Sequence, residues 1–249
     1  MAILIKTPAE IDTMRRSGEA LRQVHEAVRP LVVPGASTLD LDRAAEAKMN
    51  QLHAVSAFKG YHGFPAVLCT SINSEVVHGI PSAKRILAEG DIISIDSGVV
   101  VDGFYSDCAV TYAVGTPSPA AQKLLDVTRA SLDAAIQQAQ VGGRLFDISA
   151  TVQEICEAQG FGVVREFVGH GIGRSMHEDP QLPNFGARGK GPRLKAGMVL
   201  AIEPMINAGG PEVKVLPDGW TTVTLDGSLS AHFEHTVAIT KDGPCVLTL

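Results

Sequence analysis

The chain has 249 residues, of which 45% are hydrophobic and 19% charged, and its net charge is −6 at pH 7. These values are ordinary for a soluble globular protein and exclude disorder as the main state, and no apolar run approaches the length of a membrane span. The negative charge and the scattered Lys and Arg residues argue against nucleic-acid specificity.

The sequence of residues 1–114 predicts two helices, a loop and three strands. Thr7-Pro8-Ala9-Glu10 forms a capping box with proline at the first helical position, and predicts a helix to about residue 29. After a break at Pro34-Gly35, Ser37 or Thr38 caps a second helix to about residue 52. A glycine-rich loop with aromatic residues spans 59–65. Runs rich in β-branched residues then predict strands at 67–72, 92–103 and 109–114.

The remaining chain predicts two more helices and three more strands. A third helix opens at Ser118-Pro119 and runs to about residue 141, where Gly142-Gly143 stops it. A shorter helix covers about 148–159 and is closed by Gly160. Strands are expected at 163–168, 198–207 and 236–240. Because no linker or low-complexity segment interrupts this order, we expect one domain over residues 1–249.

Cysteine usage and the N-terminus predict a cytoplasmic protein. Four cysteines lie far apart without a CxxC pair, at Cys69, Cys108, Cys156 and Cys245. That spacing is typical of reduced thiols rather than of a disulfide framework or a structural zinc site. The first residues lack the long apolar run of a signal peptide, since charges appear by Lys6 and Glu10.

A weak internal repeat links the two parts of the chain. The segments GDIISID, ending at Asp96, and GMVLAIE, ending at Glu203, both place a carboxylate six residues after a glycine, at the end of an apolar strand. Each segment is followed by a second acid that opens another strand, Asp107 or Glu234. The repeat predicts two α/β halves related by a pseudo-two-fold axis, with four acids meeting between them.

The surroundings of these acids indicate a metal site. A lone acid at a strand end is usually a surface residue, and that alternative applies to Asp96. Glu203 fits it less well, because the residues on both sides of it are almost wholly apolar. Burying a carboxylate without a cation is costly, and few Arg or Lys residues are near either acid in the sequence.

The segment from Gly169 to Pro180, GHGIGRSMHEDP, adds two histidines seven residues apart, among glycines that we expect to permit close approach to a ligand. A dinucleotide-binding loop is the competing interpretation. It fails because Arg174 stands where the last glycine belongs, and because Pro180 interrupts the helix that should follow. Four acids and one histidine suit manganese, iron(II), cobalt or zinc, and could hold two ions that share carboxylates.

The sequence resembles the methionine aminopeptidases, in the bacterial type I form. The similarity runs over essentially the whole chain and is carried by the motifs IDSG, SDCAVTY, GHGIG, IEPM and FEHT. The resemblance implies an α+β pita-bread fold of the creatinase and aminopeptidase kind. In that fold, two pseudo-symmetric α/β halves with a curved antiparallel sheet surround a dinuclear metal centre.

The resemblance also implies a role for each motif residue. Asp96 should chelate one metal ion, Asp107 and Glu234 should bridge both ions, and His170 and Glu203 should bind the other. Two divalent ions (Co, Mn, Fe(II) or Zn) are the implied cofactors, and Glu203 is the implied general base. A monovalent cation, Na or K, is implied near Asn73 and Ser230.

Two further histidines are implied to contact the substrate. His177 should polarise the scissile carbonyl, and His78 should lie near the scissile nitrogen. For His62, His232 and His235 we expect a structural role, although His62 lies in the loop of the predicted pocket.

The implied methionine pocket is apolar and partly aromatic, which suits a flexible thioether. We expect it to be lined by Tyr61, Phe64, Cys69, Trp220, Phe58 and Met176. Some relatives carry Cys, Tyr and Phe at positions 58, 64 and 176, so these differences affect side-chain preference rather than the reaction.

The implied function is removal of the initiator methionine from nascent chains with a small second residue. The implied partners are N-terminal methionine peptides and, transiently, the ribosome, and we expect a monomer that binds neither membrane nor specific nucleic acid. Two alternatives stay open. X-Pro aminopeptidases, prolidases and creatinase share the fold but usually carry an additional N-terminal domain, and other relatives bind proteins or RNA without catalysis after losing their ligands.

Overall fold

The computed structural model describes residues 2–249, and its four α-helices agree closely with the sequence-based prediction. They are α1 (Pro8–Val28), α2 (Thr38–Gln51), α3 (Pro119–Gln137) and α4 (Leu145–Glu157). The capping box of α1 is present, since the Glu10 N–H donates to Thr7 Oγ1 and the Thr7 N–H donates to Glu10 Oε2. Ser37, rather than Thr38, caps α2. Helix α3 ends before the predicted stop, because residues 142 and 143 instead exchange backbone hydrogen bonds with Leu194 at 2.9 Å.

The strands are more numerous and shorter than predicted. They are β1 (Val55–Ser56), β2 (Cys69–Ile72), β3 (Glu75–Val77), β4 (Ile92–Val101), β5 (Phe104–Ala113), β6 (Gly162–Val163), β7 (Gly169–Gly171), β8 (Glu178–Leu182), β9 (Val199–Ile202), β10 (Met205–Asn207), β11 (Val213–Val215), β12 (Thr222–Thr224), β13 (Ser230–His232), β14 (His235–Thr240) and β15 (Gly243–Val246). Two short 3₁₀ turns lie at Arg29–Leu31 and Tyr61–Gly63.

Four expectations about strand bounds were wrong, and three of them concern the acids. Strand β5 begins at Phe104, so Asp107 lies inside the strand rather than opening it. Asp96 likewise lies within β4 and does not end it. The strand predicted over 198–207 is two strands, β9 and β10. It is interrupted at Glu203 and Pro204, because proline has no N–H to continue a ladder. Of the strand predicted over 163–168, only Val163 lies in a strand.

All strand pairs are antiparallel and form four small sheets. The first half of the molecule consists of α1 and α2 packed on the sheet of β1, β2, β4 and β5. The second half consists of α3 and α4 packed on the five-stranded sheet β15-β14-β9-β7-β8 and on β13-β10-β6. The fourth sheet, β11-β12-β3, joins the two halves.

Each half has its own apolar core, and the repeat seen in the sequence has a structural counterpart. One core lies beneath α1 and α2 and the other beneath α3 and α4. At the start of each repeat, Gly90 and Gly197 have left-handed backbones and donate their N–H to the carbonyls of Val114 and Ile239 at 2.8 and 2.9 Å. The two halves therefore begin their central strands in the same way, as the pseudo-two-fold prediction requires.

Across residues 2–249, no helix is both long enough and apolar enough to cross a bilayer.

Candidate metal centre

A cavity of about 210 Å³ opens between the two halves, and all of the predicted divalent-metal, catalytic and methionine-pocket residues line it. We call it the site cavity. Its lining comprises Phe58, Tyr61, Phe64, Cys69, Val77, His78, Asp96, Asp107, Phe167, Val168, His170, Met176, His177, Glu203, Met205, Trp220, His232 and Glu234. The tertiary structure thus brings together residues that span 177 positions of the sequence, from 58 to 234.

The first half contributes two carboxylates from adjacent strands. In the β4–β5 register Asp96 faces Ala109 and Asp107 faces Gly98, so both carboxylates lie on one face of the hairpin as diagonal neighbours. Both side chains are buried, with exposed fractions of 9% and 4%.

The second half contributes His170 from β7, Glu203 from the turn after β9, and Glu234 from the residue before β14. The ligand-type atoms of Asp107, His170 and Glu234 lie within 4.8 Å of one another, as do those of Glu203, His232 and Glu234. His170 Nε2 is 3.5 Å from Glu203 Oε1. Glu234 belongs to both groups, so the two groups form one continuous cluster.

The two halves are joined next to the acids by hydrogen bonds between β5 and residues 232–236, a contact that we call the seam. The Glu234 N–H donates to the carbonyl of Ala109 at 2.8 Å. On one side, Thr236 Oγ1 accepts from the Asp107 N–H at 2.9 Å and donates to its carbonyl at 2.8 Å. On the other, Thr111 Oγ1 accepts from the His232 N–H at 2.8 Å and donates to its carbonyl at 2.7 Å. Two threonine hydroxyls therefore hold carboxylates of opposite halves side by side.

Burial raises the pKa of all four carboxyl groups, and the negative charge of a neighbouring carboxylate raises it further in three of them. Burial raises the pKa of Asp107 to about 7. Burial first, and the neighbouring Asp107 carboxylate second, raise the pKa of Asp96, Glu203 and Glu234 well above the usual range. Burial also lowers the pKa of His170 to about 4, so its imidazole is neutral near pH 7 and can offer a lone pair.

This cluster fits a divalent cation. No lysine or arginine among residues 2–249 forms an ion pair with any of the four carboxylates. Asp96 Oδ1 and Glu234 Oε1 are buried without a hydrogen-bond partner in this part of the chain, which is costly unless a cation is bound. Carboxylate oxygens with imidazole nitrogen suit the harder divalent transition ions.

Two histidines form the polar wall of the site cavity. His177 Nδ1 lies 2.8 Å from the Tyr61 hydroxyl, and its ring centroid is 4.4 Å from that of His170. His78 has a left-handed backbone with φ 61°, a strained conformation for a residue with a side chain. Its ring is held edge-on by Phe167 and Trp220, with centroids at 5.4 and 6.2 Å.

The opposite wall is the apolar pocket that the sequence predicted. Phe58, Phe64, Cys69 and Met176 are buried together, and Trp220 packs edge-on against Phe64 with centroids 5.1 Å apart. Tyr61 borders this wall and is partly exposed. The loop that carries Trp220 is shaped by Asp218, which accepts hydrogen bonds from the N–H groups of residues 220 and 221 at 2.9 Å.

The sequence analysis missed several lining residues. Val77, Phe167, Val168 and Met205 complete the apolar wall. Phe167 could have been predicted from its position three residues before His170. His232 could have been predicted because it lies two residues before Glu234, and alternate residues of an extended segment share a face. We expected a purely structural role for His232, yet it lines the site cavity.

The glycines around His170 serve packing between strands rather than approach to a ligand, contrary to our expectation. A Cβ atom on Gly169 would lie 2.4 Å from the carbonyl oxygen of Ala201, and one on Gly171 would lie 2.3 Å from that of Asp179. Strand β7 is therefore squeezed between the backbones of β8 and β9, which fixes the position of His170.

Other predicted residues lie outside the site cavity. The Asn73 side chain accepts from the Ile92 N–H at 3.0 Å and donates to Asp91 at 2.7 Å, and its carbonyl accepts from the Ser230 N–H at 2.8 Å. His62 does not line the site cavity, although its ring packs on Tyr61 with centroids 4.4 Å apart.

The chain is similar to known proteins over its full length. Residues 12–241 match the model of "Metallopeptidase family M24". The methionine aminopeptidase of Clostridium acetobutylicum is 51% identical over 247 residues, covering 99% of this chain and 99% of that protein. Methionine aminopeptidase 1 of Bacillus subtilis is 51% identical over 246 residues, covering 99% of each chain.

Solved structures agree with this similarity and confirm the predicted pita-bread fold. The crystal structure of methionine aminopeptidase from Thermotoga maritima superposes with a TM-score of 0.98 at 47% identity, covering 99% of both chains. The prolidase of Pyrococcus furiosus superposes with a TM-score of 0.78 at 25% identity, and this chain covers 65% of it. The molecule is thus more similar to the first enzyme than to the second, in size as well as in sequence.

Proposed function

This chain belongs to metallopeptidase family M24, and from that membership we propose its function and the task of each site residue. It is a metal-dependent aminopeptidase that removes the N-terminal methionine from proteins. One observation carries the proposal. A cluster of four carboxylates and His170, without lysine or arginine partners in residues 2–249, lies in the same cavity as an apolar aromatic wall.

Five residues hold the divalent metal ions. Asp96 would hold one ion, His170 and Glu203 would hold the other, and Asp107 and Glu234 would be shared by both. Buried carboxylate oxygens without donors, on Asp96 and Glu234, support this assignment. When bound, such ions lower the pKa of water and polarise a carbonyl group. Cobalt, manganese, iron(II) and zinc are all compatible with this oxygen-rich donor set.

The proton transfers are assigned to residues of the chain. Glu203 accepts a proton from the attacking water and passes it to the departing amine. His177 donates from Nε2 to the scissile carbonyl oxygen as negative charge develops there. For this role the imidazole of His177 must carry its hydrogen on Nε2. The Tyr61 hydroxyl favours that tautomer because it donates a hydrogen bond to Nδ1. His78 contacts the scissile nitrogen.

The apolar wall binds the methionine side chain. Phe58, Phe64, Met176 and Trp220 offer polarisable surface to a flexible thioether, and Cys69 is held as a neutral thiol because burial raises its pKa.

Several finer properties belong to the same proposal. The second residue of the substrate is small, and the chain's own start, Met1-Ala2, meets that condition. The enzyme acts in the cytoplasm as a monomer and one domain over residues 1–249, docking transiently on ribosomes to meet nascent chains. A sodium or potassium ion binds near Asn73 and Ser230, where the two halves exchange a backbone hydrogen bond.

The test is methionine release from a Met-Ala-Ser peptide, with a Lys-Pro peptide as the control. Chelated protein is supplied separately with manganese, iron(II), cobalt and zinc. We expect methionine release after metal addition only, and no cleavage of the control.

Each other outcome overturns part of the proposal. Cleavage of the Lys-Pro control alone would identify an X-Pro peptidase. Cleavage of neither peptide with any metal would leave a metal-binding relative without this activity.

A further inference from the structure

His232 is a buried polar group that the proposed mechanism does not use. Its side chain is 1% exposed and lines the site cavity. Among the described residues, neither Nδ1 nor Nε2 has a hydrogen-bond partner. Buried side-chain nitrogens are nearly always paired, so an unpaired imidazole in a cavity needs an explanation.

The nearest acceptor is the carboxylate of Glu203. His232 Nε2 lies 3.5 Å from Glu203 Oε2, while His170 Nε2 lies 3.5 Å from Glu203 Oε1. The carboxylate thus stands between two imidazoles, with one oxygen facing each.

These two imidazoles differ in what they can offer. His170 Nδ1 is 2.9 Å from the carbonyl oxygen of Gly171, and a carbonyl only accepts, so Nδ1 carries the hydrogen. The Nε2 of the neutral His170 ring therefore presents a lone pair, as a metal ligand must. No such carbonyl occupies either nitrogen of His232. Its ring is free to place a hydrogen on Nε2, directed at Glu203.

The backbone of His232 is fixed in position. Its N–H and its carbonyl are both bonded to Thr111 Oγ1 across the seam, and in β13 it pairs with Met205 of β10. A side-chain rotation that shortens the Nε2 to Oε2 distance by roughly 0.5 Å gives a regular hydrogen bond.

We propose that His232 is a positioning residue: its Nε2–H donates to Glu203 Oε2 and orients the carboxylate, leaving Oε1 directed towards His170. The inference rests on the proposed role of Glu203. The proposal predicts that metal affinity depends on a hydrogen-bond donor at the position of His232 Nε2, whether or not an imidazole provides it. Loss of an outer hydrogen bond of this kind weakens metal binding by roughly 10- to 100-fold.

The experiment compares His232→Gln, His232→Asn and His232→Leu. The amide nitrogen of glutamine reaches the position of Nε2, whereas that of asparagine reaches only the position of Nδ1. The dissociation constant for cobalt(II) is measured by calorimetry and by visible absorption on chelated protein. The kcat and KM for the Met-Ala-Ser peptide are then measured on the loaded variants.

We expect the glutamine variant to bind cobalt within a few-fold of the unmodified protein and to keep its absorption spectrum. The asparagine and leucine variants should bind roughly 10- to 100-fold more weakly and lose kcat with little change in KM. If the leucine variant does not fold, as judged by circular dichroism, the glutamine and asparagine pair decides alone.

Two results overturn the inference. Unchanged cobalt affinity in the asparagine variant would show that no donor is needed at this position. A glutamine variant as weak as the asparagine variant would show that the imidazole itself is required, for example as a ligand. If the unmodified protein released no methionine with any metal, the proposed function would fail, while the cobalt affinities would still decide the role of His232.

Discussion

The seam makes a quantitative prediction about Thr236. Substitution Thr236→Val keeps the shape of the side chain but removes the hydroxyl that serves both the N–H and the carbonyl of Asp107. Both backbone groups of Asp107 point away from β4. They are buried beside Thr236, whose exposed fraction is 0%, so water cannot replace the hydroxyl. An orphaned buried group costs about 1–3 kcal/mol, so two of them cost about 2–6 kcal/mol.

The measurement is thermal and urea unfolding of the metal-free protein. For a chain of this size, 1 kcal/mol corresponds to about 2–4 °C, so the melting temperature should fall by roughly 4–24 °C. Thr236→Ser keeps the hydroxyl and should cost only about 1 kcal/mol for the lost methyl group.

Thr128→Val is the matched control. Thr128 is also fully buried, but its hydroxyl donates at 2.8 Å to the Leu124 carbonyl, which already accepts a helical hydrogen bond within α3. Its loss orphans no backbone group, so we expect a change below about 1 kcal/mol. If Thr236→Val is no more destabilising than Thr128→Val, the seam does not hold the halves together in the way we infer.

Three further predictions concern the site itself. Glu203→Gln should abolish methionine release with an unchanged circular dichroism spectrum, and full activity would contradict its role as the base. Tyr61→Phe removes one hydrogen bond to His177, worth about 0.5–1.5 kcal/mol, so kcat should fall by roughly 2- to 13-fold; unchanged kcat would refute the tautomer argument. The metal-free protein should lose stability as the pH rises above about 7, because burial raises the pKa of Asp107 to about 7 and that of Asp96, Glu203 and Glu234 well above the usual range, so the folded state holds protons that the unfolded chain has released. Histidines do not oppose this loss there, since they are largely neutral in both states, and unfolding curves with and without manganese check it, because bound metal should remove the pH dependence.

Local signals in the sequence were sufficient for the helices. The capping residues Thr7, Ser37 and Ser118 each accept a backbone hydrogen bond within their own first turn, so the start of each helix depends on three or four neighbouring residues. Strand bounds were predicted less well, because a strand ends where its partner ends. Asp107 was placed at the start of a strand, yet β5 extends back to Phe104 because β4 continues opposite it to Val101.

Motifs predicted the candidate metal ligands, but only through their resemblance to a known family. Periodicity placed Asp96 on a buried face, and the repeat paired it with Glu203, yet neither observation showed that the two acids meet. His232 was not predicted as a site residue because its proposed role depends on its contact with Glu203. Glu203 is 29 positions away in the sequence, and the pairing of β10 with β13 brings the two residues together.

The sequence by itself determined the starts of α1, α2 and α3 and the set of candidate metal-binding residues. These depend on local hydrogen bonding and on the period of the hydrophobic pattern, both of which are present in short windows of the chain. Only the tertiary structure decided which residues share the site cavity, which imidazole nitrogen carries a hydrogen, and which hydroxyls join the halves. Those features arise from contacts between distant segments, such as Thr236 with Asp107, whose geometry exists only once both halves have folded and met at the seam.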